Sequence, residues 1–187
     1  GKRIALVDTD LRRSRMVSTY GVKFPQDSKK YGLSHYLAGI AEQDEVLYKT
    51  NVAGMDFVPV GRELLNPLPL LSSNRFQELL DRLAEAYDYV IVDAAPVGVV
   101  IDAAEIAKYC DGILLVVNYN QVHRQELIDA KAQLEHSGCP ILGTILNQVD
   151  YDGFTNKKYY YKSHYYNYYK AYEKGADEKG EDEKKKG

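Results

Sequence analysis

Short apolar runs alternate with amphipathic stretches along the first 150 residues, and this alternation sets the fold class. Ile4 to Val7 is an unbroken apolar run beside charged residues, with the length and character of a buried strand. A polar, basic stretch follows, then helical spacing around Leu33, Tyr36 and Leu37. Met55 to Pro59 reads as a further short strand. Gly61 to Leu71 carries Pro67 and Pro69 and is expected to be a loop, because proline removes a helix hydrogen bond. Phe76, Leu79, Leu80, Leu83 and Tyr87 then form one stripe of an amphipathic helix, with Ser73 or Asn74 placed to cap it. Tyr89 to Val92 is the next strand, and Asp102 opens a short helix that reaches Tyr109. Gly112 to Val117 reads as a fully buried strand, Glu126 to His136 as a helix, and Ile141 to Leu146 as a last strand ending at Asn147. Strands separated by helices predict an α/β fold, a mostly parallel sheet flanked by helices.

Composition changes the picture only after Asp150. Nine tyrosines lie from Tyr151 to Tyr172, among Lys, Asn, Ser and His, and residues 173–187 are Glu, Asp, Lys and Gly with one alanine. With so few aliphatic side chains to bury, this part is expected to be a flexible tail. Residues 1–150 then make one domain and 151–187 the tail. The net charge of -3 gives no global footprint for nucleic acid. No apolar run is long enough to span a membrane, and no signal peptide opens the chain, so a cytoplasmic location is expected. Cys110 and Cys139 are too few and too far apart in sequence for a disulfide framework, and are expected to be buried thiols. The chain opens with Gly1 directly before a strand, and is expected to be a fragment of something longer.

Two of the strands end in acid. Ile4–Val7 runs into Asp8 and Asp10, and Val90–Val92 runs into Asp93 and then Pro96. Aspartate also favours turns and helix caps, which is the plainer reading of either site alone. Ligands of open α/β sheets, however, sit beyond the carboxyl ends of the strands, and two such ends converge on one crevice. Three carboxylates there suit Mg²⁺, which takes a few carboxylates together with water and phosphate oxygens.

The run Ile4–Arg13 resembles the Walker A′ motif of bacterial tyrosine kinases that control capsule and exopolysaccharide synthesis, and Val90–Pro96 resembles their Walker B motif. The likeness continues through Tyr31–Gly39, Val60-Gly61, Asn66-Pro67, Leu70–Ser73 and Leu146-Asn147, so that it covers about 150 residues in order. It implies a P-loop NTPase-like fold, ATP and Mg²⁺ as cofactors, and an autophosphorylating protein-tyrosine kinase. Asp8 and Asp10 would match the Walker A′ aspartates, one holding Mg²⁺ and one acting as base toward a tyrosine hydroxyl. Asp93 would match the Walker B aspartate at the metal. Asn147 resembles the asparagine that related ATPases place near adenine, although a turn role is equally open. Tyr159, Tyr160, Tyr161, Tyr165, Tyr166, Tyr168, Tyr169 and Tyr172 would be phosphoacceptors for a neighbouring subunit. Arg12, Arg13 and Arg15 read first as a solvated basic face, and second as a contact for phosphate or a neighbouring protomer. Asp102 is expected to do no more than open its helix.

The departure from the family pattern is the phosphate loop. No G-x-x-x-x-G-K-[ST] occurs in the chain, so the backbone N–H cradle and lysine for the β- and γ-phosphates are lacking, and weak ATP binding is expected of these residues alone. The resemblance further implies a separate membrane-anchored activator that recruits the protein to the inner face of the plasma membrane. It also implies self-association into a ring, contact with polysaccharide assembly machinery, and a tyrosine phosphatase. The alternatives are a positioning or partition ATPase with the same Walker strands, or a non-catalytic phosphoacceptor partner of an intact kinase.

Overall fold

The structure is a computed structural model that describes residues 1–149. The tail tyrosines lie outside the described residues. Six strands and seven helices follow one another as β1 Ile4–Asp8, α1 Met16–Thr19, α2 Leu33–Leu37, α3 Gln43–Val46, β2 Tyr48–Lys49, β3 Met55–Val58, α4 Leu68–Leu71, α5 Asn74–Ala86, β4 Tyr89–Asp93, α6 Asp102–Ala107, β5 Ile113–Asn118, α7 Arg124–Glu135 and β6 Ile141–Asn147.

The strands form two sheets. The larger has the order β2-β3-β1-β4, the smaller pairs β5 with β6. β1 is parallel to both β3 and β4, β5 is parallel to β6, and only the two-residue β2 runs antiparallel. The α/β class and the mostly parallel pairing are therefore as the sequence predicts, with the sheet divided between β4 and β5.

One face of the larger sheet carries the core. Ala5 and Val7 of β1 and Val58 of β3 are fully buried, packed with Leu33, Tyr36, Phe76, Leu79 and Leu83 from α2 and α5. These α5 positions are the predicted stripe. The opposite face is different: Tyr89 and Ile91 of β4 are 57% and 51% exposed. They front a trough of about 2310 Å³ that β5 and α7 line from the other side, through Leu114, Val116 and Leu127.

That trough corrects one expectation. Leu114 and Val116 are 59% and 56% exposed, so β5 is not fully buried. An apolar run buries both faces only if elements cover both faces, and β5 has a single neighbouring strand here. A second correction concerns the proline-rich loop, where Leu68–Leu71 forms a single helical turn with Pro69 near its start. Proline is tolerated in a first turn because those N–H groups have no helical acceptor. Of the two cysteines, Cys139 is buried and Cys110 is only half-buried.

The loop after β3 is pressed onto the start of α2. Pro59 and Val60 carbonyls accept the N–H groups of Leu33 and Ser34, and the Ser34 hydroxyl accepts the Arg62 N–H at 2.8 Å. Gly61 sits at φ +79°, and a Cβ at Gly32 would fall 2.3 Å from the Pro59 carbonyl. Only glycine allows this approach.

Candidate active site

β1 and β4 run in register to their last residues, so that Asp8 stands directly beside Asp93. Just beyond, the Thr9 N–H and hydroxyl both donate to the Asp93 carbonyl, at 2.8 and 2.6 Å, and lock the two strand ends together. Asp8, Asp10 and Asp93 line one cleft of about 380 Å³, together with Arg13, Ser14 and Arg15. The two Walker-like strand ends are thus brought to one place.

Asp10 arrives there by a turn. β1 stops at Asp8, and the Asp10 N–H donates to Asp8 Oδ1 at 3.2 Å. Asp10 Oδ1 in turn accepts the N–H groups of Arg12 and Arg13, at 3.3 and 3.0 Å. The turn-forming habit of aspartate and its presence in the cleft are the same arrangement. Ser14, which sequence reasoning passed over, donates its hydroxyl to Asp8 Oδ2 and also accepts the Met16 N–H. A serine six residues after an acidic strand end carries no distinct signal.

The electrostatics follow from packing three carboxylates together. Asp8 and Asp10 are 1% and 7% exposed. Loss of hydration pushes the Asp8 carboxyl up to about 6, the Ser14 bond works against that rise, and the charge of Asp93 adds to it. Asp93, which is exposed where Asp8 and Asp10 are buried, is also shifted upward, first by partial loss of hydration and then by the charge of Asp10. Such a site favours a cation. Among the described residues, though, no three His, Cys, Asp or Glu side chains form a ready-made metal cage.

Of the other candidates, Asn147 ends β6 opposite Asn118, is exposed, and does not line the carboxylate cleft. Arg12 is no solvated cation. Its guanidinium pairs with Asp102 in two parallel bonds, at 2.6 and 3.1 Å, and Asp102 is 1% exposed. Asp102 does open α6, but a buried bidentate ion pair is far more than the helix-opening role expected of it.

The fold and the paired acidic strand ends define a P-loop NTPase-like domain of the Walker A′/Walker B type. Comparison with known proteins sharpens the class. No family model matches the chain. The tyrosine-protein kinase CpsD of Streptococcus agalactiae serotype III (strain NEM316) is 37% identical over 150 residues, which are 80% of this chain and 63% of that protein. The kinase domain of Escherichia coli tyrosine kinase ETK superposes with a TM-score of 0.76 at 32% identity, covering 86% of this chain and 61% of that one. The septum site-determining protein MinD of Pyrococcus horikoshii, solved with Mg-ADP, shares the fold with a TM-score of 0.60 at 24% identity, covering 78% and 58%. The chain belongs to the bacterial tyrosine kinase family. It spans about two thirds or less of the length of these curated relatives. Among the described residues no helix is long and apolar enough to cross a membrane.

Proposed function

We propose that this chain is the greater part of an autophosphorylating protein-tyrosine kinase domain, whose phosphate-binding loop comes from a segment of the same protein outside these residues. The convergence of Asp8, Asp10 and Asp93 on one cleft carries the reading. Phosphoryl transfer asks for positioning and charge neutralisation more than for covalent chemistry, and acidic strand ends supply a metal-holding wall. The edge strands β4 and β5, with the apolar trough beside them, offer room for a further strand and helix. Such an insertion would join the two sheets and end its loop near the carboxylates.

The residues fit Mg²⁺ in the manner typical of nucleotide sites, where one or two carboxylates share the ion with water and phosphate oxygens and no full protein cage is needed. When bound, the ion neutralises phosphate charge. Asp93 and one of the Asp8–Asp10 pair would hold it, and the other of the pair would accept the tyrosine proton. Ser14 holds Asp8 in place, and the Asp10 turn fixes the second carboxylate. ATP as the nucleotide, the tail tyrosines Tyr159 to Tyr172 as acceptors, and Asn147 near the base belong to the same proposal. So do a membrane-anchored activator, recruitment to the membrane, ring assembly, and a role in capsule or exopolysaccharide synthesis. The domain and tail boundary at residue 150 is proposed on the same footing. Each phosphotyrosine adds about -1.5 to -2 charge at neutral pH. Multiple phosphorylation of the tail should therefore drive it from a neighbour's acidic cleft and convert the ring to monomers, which sedimentation of matched samples would read.

The decisive experiment compares residues 1–187 with a longer form of the protein that carries a phosphate loop. The longer form is expected to phosphorylate its tyrosines in the presence of ATP and Mg²⁺, while calorimetry on residues 1–187 shows little ATP binding. Tight ATP binding by residues 1–187 would refute an incomplete site. A longer form that binds ATP but leaves every tyrosine unmodified would favour the positioning-ATPase or phosphoacceptor alternatives.

A further inference from the structure

Outside the cleft, the most heavily bonded charged group among the described residues is the Arg12 guanidinium. Nε and Nη2 donate to the two Asp102 carboxylate oxygens, at 2.6 and 3.1 Å, and Nη1 donates to the Leu65 carbonyl at 2.8 Å. Three segments distant in sequence meet there. Arg12 belongs to the turn after β1. Asp102 follows the loop that leaves the Asp93 strand end and begins α6. Leu65 lies in the loop that Gly61 and Ser34 fasten to α2, and next to it the Leu64 N–H donates to the Leu11 carbonyl at 2.7 Å.

The backbone of Arg12 is equally committed. Its N–H, with that of Arg13, holds Asp10 Oδ1. Asp102 thereby fixes Arg12, and Arg12 fixes the carboxylate of Asp10. A planar, bidentate guanidinium–carboxylate pair sets orientation as well as distance, which a lysine at position 12 would not reproduce. Asp102 is 2% exposed at its side chain and Arg12 is 23% exposed at its own. The pair is shielded from the screening that makes surface ion pairs weak. Its place is also specific, since it ties the exits of both acidic strands to each other.

We infer that Asp102 and Arg12 are positioning residues for phosphoryl transfer: together they clamp the β1 turn to the β4 exit loop and hold Asp10 at its place in the cleft. This rests on the kinase reading above. Neither Arg12 nor Asp102 lines the carboxylate cleft itself. Catalytic geometry tolerates little error, because displacement of about 1 Å at a reacting group costs up to roughly 10²-fold in rate.

The test uses the longer, phosphate-loop-bearing protein with Asp102→Asn, Arg12→Lys and the two combined, and Asp93→Ala as reference. Asp102→Asn is expected to lower kcat about 10-fold or more, well below its unfolding temperature, with KM for ATP within about twofold. Arg12→Lys, which keeps the charge and exposes little new surface, is expected to do the same. The double variant should be no worse than either alone, since both remove one clamp. Amide hydrogen exchange without nucleotide supplies a second readout: exchange in residues 10–14 should quicken in Asp102→Asn while α5 stays protected. Normal kcat in folded Asp102→Asn and Arg12→Lys, beside an inactive Asp93→Ala, would overturn the clamp and leave the kinase reading intact. Quickened exchange throughout α5 would reduce the pair to a stability role and overturn the clamp as well. An active Asp93→Ala would instead overturn the kinase reading itself.

Discussion

β1 and β5 are nearly interchangeable as strings of residues, IALVD and ILLVVN, yet they live in opposite environments. Ala5 and Val7 are fully buried, whereas Leu114 and Val116 are more than half exposed. β1 has a strand on each side and helices α2 and α5 over one face. β5 has a single partner strand, and the trough opens in front of it. The difference teaches that an apolar run records the surroundings a strand is built for, while its exposure records which neighbours are in place. The larger sheet holds the core and ends in Asp8 and Asp93, with Asp10 in the turn just past β1. Among the described residues the smaller sheet makes no strand pairing with the larger one.

The largest effects should separate the two regions by stability. Phe76→Ala, under the larger sheet, is expected to cost about 3–5 kcal/mol in denaturant unfolding, because a fully buried ring leaves a cavity. A cost below about 1 kcal/mol would mean that the core is not where the packing places it. Asp93→Ala should lower tyrosine phosphorylation by the longer protein by a factor of roughly 10² or more, read with radiolabelled ATP. Rates within about threefold of the parent would remove the cleft from the mechanism.

A third effect is set by protons. The Asp8 carboxyl has its folded pKa pushed from 3.8 up to about 6. The folded state therefore binds this proton more tightly than the unfolded state. The metal-free domain carries the full cost of ionising Asp8 above about pH 6 and is relieved of it as pH falls toward 4, a contribution of about 2–3 kcal/mol. Asp93, shifted upward too, acts in the same direction. Asp56 has its pKa lowered by Lys49 and Tyr87 and acts in the opposite sense, losing its contribution as pH falls. The comparison is therefore made between the parent and Asp8→Asn: the variant should be the more stable at pH 7.5, with the gap narrowing as pH falls from about 6 toward 4. A gap that is independent of pH would assign the burial cost elsewhere. Mg²⁺ should narrow the gap at pH 7.5 by favouring the charged form.

The smallest effect belongs to the smaller sheet. Leu114→Ala should change the stability of residues 1–187 by less than about 0.5 kcal/mol, since a side chain 59% exposed has little burial to lose. The same substitution in the longer protein should cost several times more if a further strand covers that face. Equal, small costs in both forms would show that the trough stays open.

Much of this was legible in the residues themselves. The alternation of apolar runs with the α5 stripe sets the order of strands and helices, because side-chain periods of two and of about 3.6 are local properties of the backbone. Asp8, Asp10 and Asp93 stood out because acid directly after an apolar run marks a strand end, and the register of β1 with β4 then brings those ends together. Other features needed the third dimension. Ser14 on Asp8, the Asp102–Arg12 pair, the proline-bearing turn of α4 and the short antiparallel β2 leave no signal in the chain. Arg12 and Asp102 are 90 residues apart, and the sequence reads the first as a solvated charge and the second as a helix opener. Their meeting depends on how three loops leave the sheet, and burial made their contact specific. The exposure of β5 was equally hidden, because periodicity describes what a strand offers to its neighbours and only the tertiary arrangement decides whether those neighbours are there.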